Sequence, residues 1–192
     1  TISNSRSGTV MLNFGVQTTY DISEKTTWMP EGLVAKYNTD NGYWEVVEKP
    51  AATITDCEGN VEECMTLDAA IAKWWLTDYT NSTITVLKDC EFGLAKMPGS
   101  GFASVAGASM TINLNGHKIS SLADEKYAFQ LLKNTVCVIS NGTIEVSENN
   151  TSTQLTTFFQ NYADLTLVDG NRRIPGLMSE QKCIVKGDDK VP

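Results

Sequence analysis

The chain has 192 residues, of which 15 are basic and 23 acidic, for a net charge of −8; 41% are hydrophobic and 20% charged. This is enough chain for one sizeable core, too apolar for a disordered acidic tail, and too acidic to offer a nucleic-acid backbone a basic face. No stretch approaches the roughly 18 consecutive apolar residues of a membrane helix, so neither a nucleic-acid partner nor membrane insertion is expected.

In chain order, residues 9–16 and 33–37 mix β-branched and apolar residues, and residues 43–47 mirror the second of these across Asn38, Asn41 and Gly42. Two β-prone arms around an Asn- and Gly-rich turn predict a hairpin. Pro50 then marks a connector, because proline removes a ladder donor. Thr66 precedes Leu67, Ala70, Ile71, Trp74 and Trp75, which fall on one helical stripe. A helix with a threonine N-cap is therefore expected over residues 66–76. From residue 83 the period changes to two. Short alternating or β-rich runs occupy residues 83–87, 110–114, 135–139, 143–146, 163–168 and 182–186, and the pairs Asn115 and Gly116, Asn141 and Gly142, Asp169 and Gly170 mark recurring bends. Strand starts roughly every 20 to 30 residues predict a β-solenoid. Its interior would be lined by Ile84, Val86, Ile112, Leu114, Val136, Val138, Leu165 and Leu167.

Several of these pieces, in this order, resemble a known family. They are the helix at residues 66–75, the strand at 83–89, the strand, bend and strand at 111–120, and the Asn-Gly-Thr-Ile run within 140–146. They are similar to the tandem parallel β-solenoid (β-helix) modules of large secreted surface proteins of Gram-positive gut bacteria. Residues 20–23, 30–32 and the hairpin through Trp44 resemble the segment that closes one such module and links it to the next. The resemblance implies an all-β, right-handed parallel β-solenoid over residues 51–192 with a short N-terminal capping helix at 66–76. The tail of a preceding module and a β-hairpin linker would occupy residues 1–50. The chain starts at Thr1 without Met and reads as a segment of a longer polypeptide.

The function expected on this reading is that of an extracellular, cell-surface structural or adhesive element, not an enzyme, with no cofactor and no metal. Its partners would be copies of itself or neighbouring modules of the same polypeptide, as in a self-assembling surface or filament subunit. The competing classes are a glycan-binding surface module, a phage fibre or spike, and a polysaccharide lyase. Trp28, Tyr37, Tyr43 and Trp44 cluster in the linker region and are the candidates for glycan stacking or packing between modules. Cys57 and Cys64 flank the turn at Glu58, Gly59 and Asn60 and are the disulfide candidate; reduced thiols are the alternative. Five cysteines without a C-x-x-C pair and a single histidine, His117, argue against a zinc site. For a lyase, Asp164, Asp169, Arg172 and Arg173 would be the residues to consider, but their positions at a strand end suit ordinary turn chemistry. His117 reads as a bend residue, and Asp56, Glu58, Glu62 and Glu63 as a solvated hairpin tip.

Overall fold

The structure, a computed structural model, describes residues 11–12, 32–76, 80–96, 109–173, 177–179 and 183–186, with side chains for 32–42, 44–76, 80–96 and 109–170. The chain divides into two compact units, Thr1–Lys49 and Pro50–Pro192. The first unit holds a three-stranded sheet of β1 (Met11–Leu12), β2 (Leu33–Asn38) and β3 (Tyr43–Glu48), with β3 central and both pairings antiparallel. The β2–β3 hairpin closes where Gly42, at φ 76°, donates its N–H to the Asn38 carbonyl at 2.9 Å. Asn38 and Asn41 both donate side-chain amides to Glu45 Oε1, at 3.0 and 2.9 Å, which ties the turn to the returning strand.

The second unit opens with a hairpin of β4 (Ala52–Thr55) and β5 (Val61–Cys64). The helix α1 (Leu67–Ala72) follows and runs into a 3-10 turn, Lys73–Trp75. Thr66 Oγ1 accepts from the Ala69 N–H at 3.1 Å, as its N-cap position predicts. Leu67, Ala70, Ile71 and Trp74 are the buried face, and α1 packs against the strands on either side of it in sequence. Then come β6 (Thr83–Val86), β7 (Cys90–Phe92), β8 (Ala95–Lys96), β9 (Ser109–Asn113), β10 (Lys118–Ser121), β11 (Tyr127–Leu131), β12 (Val136–Val146), β13 (Thr157–Asn161), β14 (Asp164–Arg173), β15 (Leu177–Ser179) and β16 (Cys183–Lys186). The large sheet runs in the order β16-β14-β12-β9-β6-β4-β5, with β10 joining β12 to β7 beside it. A second, four-stranded sheet has the order β15-β13-β11-β8.

This arrangement overturns the expected all-parallel, right-handed β-solenoid. From β6 to β16 the pairings are parallel, but β4 runs antiparallel to both of its neighbours, β5 and β6, so the large sheet is mixed. The sheet of the first unit is antiparallel throughout. The cause is local. The five residues 56–60 form a turn in which Asp56 accepts from the N–H groups of Glu58 and Asn60 at 2.9 and 2.8 Å, so the chain reverses directly into β5. Alternation with a period of two identifies a strand but carries no information about its direction.

The core of the second unit lies between the sheets. Ile54, Ile84 and Ile112 are fully buried, and Ile139 and Leu167 nearly so; each such side chain contributes about 1.5–3 kcal/mol relative to exposure. Phe92, Phe129, Phe158 and Phe159 fill the other side, with neighbouring ring centroids 5.1 to 5.7 Å apart. Two expected interior positions are wrong. Val136 is exposed and Val138 half-buried, while Cys137 and Ile139 face inward, opposite Met110 and Ile112. Val136-Cys-Val-Ile139 is apolar in both phases, so only the pairing with β9 selects its inner face.

The bends between strands have a common chemistry. Asn81, Asn115, Asn134, Asn141 and Asp169 all have positive φ, between 44° and 65°, a region that Asn and Asp tolerate better than other residues bearing a Cβ. Two glycines beside them are required by close approach. A Cβ at Gly142 would lie 2.3 Å from the His117 carbonyl oxygen and 2.4 Å from Leu114 Cβ, and one at Gly170 would lie 2.4 Å from the Gly142 carbonyl oxygen. We expect Gly142→Ala to destabilise the fold by about 1–3 kcal/mol, the usual range for overpacking. Urea unfolding checks this, and an unchanged midpoint would show that the bend has room to give.

Candidate functional site

A concavity lies where β7, β10 and β12 run side by side. Register sets Ser120 between Glu91 and Glu145, so the three form one row across the sheet. A groove of about 410 Å3 opens over this row, lined also by Asp89, Cys90, Lys118, Ser147, Glu148 and Asn149. Four carboxylates against one lysine make it acidic.

Each of the main groups is held by a defined partner. Ser147 Oγ donates to Glu91 Oε1, and Asn149 Nδ2 donates to the same oxygen at 2.9 Å. Lys118 Nζ lies 3.0 Å from Glu145 Oε1, which also accepts from Ser120 Oγ at 3.3 Å. Asp89 Oδ1 accepts the Lys118 backbone N–H at 3.0 Å and lies 3.4 Å from His117 Nδ1. The hydrogen bonds from Ser147 and then Asn149 hold the Glu91 carboxyl below its usual pKa, and the hydrogen bond to Glu145 raises that of Lys118. Burial pushes the Cys90 thiol up to about 11.

A general acid at neutral pH needs a carboxyl pushed up, and a nucleophilic cysteine needs a thiol pulled down. Glu91 and Cys90 are moved the opposite way. In the groove Glu91 and Glu145 accept hydrogen bonds from hydroxyl, amide and ammonium donors.

The residues singled out from sequence lie elsewhere. Trp28 is outside the described residues, as is the Tyr43 side chain. Tyr37 and Trp44 face each other across β2 and β3 with ring centroids 5.6 Å apart. Trp44 is 8% exposed and Tyr37 36%, so this pair presents mainly Tyr37 to a ligand. The Trp44 indole N–H is buried and has no hydrogen-bond partner among the described residues. Cys57 and Cys64 are free thiols; Cys57 is exposed on the turn, and Cys64 points into the core at the end of β5. Asp56 accepts the side-chain amide of Asn60 at 2.8 Å in addition to the turn N–H groups. Its carboxyl is held below the usual value, first by that amide. Its oxygens thus stabilise its own turn. Asp164 and Asp169 are exposed in β14, and the side chains of Arg172 and Arg173 are outside the described residues. His117 sits in the bend before β10, as its Asn-Gly context predicts.

The groove was missed from sequence because its members are 25 to 29 positions apart along the chain, at residues 91, 120 and 145. The available signal was the outward phase of three short strands, which becomes visible only once their register is known. Among the described residues, no group of three or more His, Cys, Asp or Glu could hold a metal, and no helix is long and apolar enough to cross a membrane. The adhesive role expected from the resemblance gains no support from this geometry.

A folded-state carboxyl pKa below its unfolded value gives stability that is present above the unfolded pKa and is lost as pH falls through the folded one. Glu91 belongs to this class. Ser147→Ala should raise the Glu91 pKa toward the ordinary carboxylate value, read by carboxyl-carbon NMR titration; an unmoved titration would mean that Asn149 alone holds it.

Comparison of the chain with family models, with curated proteins and with solved structures returns no match.

Proposed function

We propose that the chain is a structural, non-catalytic β-sheet element that extends by pairing strand edges with further copies of itself. The observation carrying this reading is that, among the described residues, the large sheet ends on β5 and β16, each of which has a single partner strand. An edge strand presents a row of backbone donors and acceptors that another strand can complete. Val61, at the outer end of β5, is 63% exposed, which suits an edge awaiting a neighbour. The interior supports the same reading, since it is filled by aliphatic and aromatic side chains. The groove agrees as well, because Glu145 bonds Ser120 and Lys118 on the neighbouring strand and Glu91 bonds Ser147 and Asn149 at the end of β12.

The donor strand in this scheme comes from the first unit, whose β1, among the described residues, spans two residues and pairs with β3 alone. A head-to-tail contact of this kind does not close on itself and builds an open polymer. The chain should form concentration-dependent species larger than a monomer in light scattering. Deleting residues 1–20 should abolish them, as should Val61→Pro, which removes a donor from the exposed edge. A particle size unchanged by the deletion, or a monomer at all concentrations in the intact chain, would sink the proposal.

A further inference from the structure

The outward face of the large sheet repeats one triplet. In β4, β6 and β9 a buried isoleucine (Ile54, Ile84 or Ile112) is flanked by two outward residues: Thr53 and Thr55, Thr83 and Thr85, Thr111 and Asn113. The register aligns these across five strands. One row runs Thr55, Thr83, Thr111, Val138, Thr166. The second runs Thr53, Thr85, Asn113, Ser140, Val168. All ten positions on these five strands are half-buried and uncharged, in a chain whose net charge is −8; the register continues the rows onto Val61 and Glu63 in β5 and onto Ile184 and Lys186 in β16, so charge enters them only at the two edge strands.

The spacing follows from the ladder: about 4.8 Å from strand to strand and about 6.7 Å between the two rows along each strand. Threonine presents a hydroxyl and a methyl on a stiff χ1, so little rotamer freedom is lost when the face is occupied. Valine keeps the same shape, while serine and asparagine keep a polar group in the array. A lysine or glutamate at these positions would instead impose a hydration shell of its own. The face is also too rich in hydroxyls for the core of a stable homodimer interface, which is about 65% apolar. What such a face matches is a ligand that is itself a regular two-dimensional array of hydroxyl donors and acceptors with apolar gaps. Water in the planes of hexagonal ice has this chemistry, with an oxygen repeat close to the spacing between strands.

We propose that this threonine face is an ice-binding surface. The test uses the intact chain, the variants Thr83→Lys and Thr111→Lys at the centre of one row, and Gln154→Lys on an exposed loop as the control. Thermal unfolding first confirms that each variant is folded. The intact chain and the control should enter a slowly growing ice front and suppress ice recrystallisation, and both threonine variants should lose both properties. Exclusion of the intact chain from ice, or full activity in Thr83→Lys and Thr111→Lys, overturns the proposal. So does a dimer in sedimentation that Thr111→Lys splits, since that would assign the face to a second copy.

Discussion

The second unit depends on β12 satisfying two sets of neighbours. Along one edge it pairs with β14 from Val136 to Glu145. Along the other, its first half pairs with β9 and its second half with β10. A straight strand could not follow both, because β9 and β10 are separated by the bend at Asn115 and Gly116. The change of direction in β12 falls at Asn141 and Gly142, and there the backbone comes close enough to His117 and Leu114 to leave no space for a Cβ. Asn141 Nδ2 reaches Asn113 Oδ1 at 3.3 Å, and the Gly116 N–H donates to the Asn141 carbonyl at 2.6 Å. The bends therefore stack as closely as the strands do.

In-register parallel stacking also constrains charge. Each outward residue sits one strand spacing from its counterparts, and like charges directly opposite destabilise a sheet. In the groove this conflict is resolved by alternation: Ser120 stands between Glu91 and Glu145, leaving the two carboxylates' strands about 9–10 Å apart. Lys118 supplies the compensating charge for Glu145. The second sheet solves the same problem with amides, since Gln130 Nε2 donates to Gln160 Oε1 at 2.7 Å across β11 and β13. Polar groups on these faces act as ties between strands.

What could be read from the sequence was whatever depends on neighbours in the chain. The Thr66 cap, the buried stripe of α1, the β2–β3 hairpin and the bends at Asn115 and Asn141 follow from local residue chemistry, and the structure places them accordingly. The direction of β4 did not follow, because Ala52-Thr-Ile-Thr55 would read the same in a parallel ladder. The inner face of β12 did not follow either, as its valines and its Cys137 and Ile139 are equally apolar. The groove was illegible for a third reason: Glu91, Ser120 and Glu145 belong to three different strands, and each alone is an ordinary outward polar residue. The aromatics near Trp44 stand out in the sequence, whereas burial decides which of them can meet a ligand.

The positions of Ile112, Ile139 and Leu167 carry a kinetic consequence. These stacked residues are 27 and 28 positions apart, so each strand from β9 onward finds its partner in the strand laid down one repeat earlier. The entropy of closing a loop grows only with the logarithm of its length, and here that length does not increase as the sheet widens. Each added strand pays about the same closure cost as the one before and is rewarded at once by a full ladder. Such a chain is suited to zipping outward from any pair of strands that forms first, and to emerging from synthesis in the order in which it stacks. The β4–β5 hairpin, closed by only five residues, is a cheap loop at the start of the second unit and provides a starting edge.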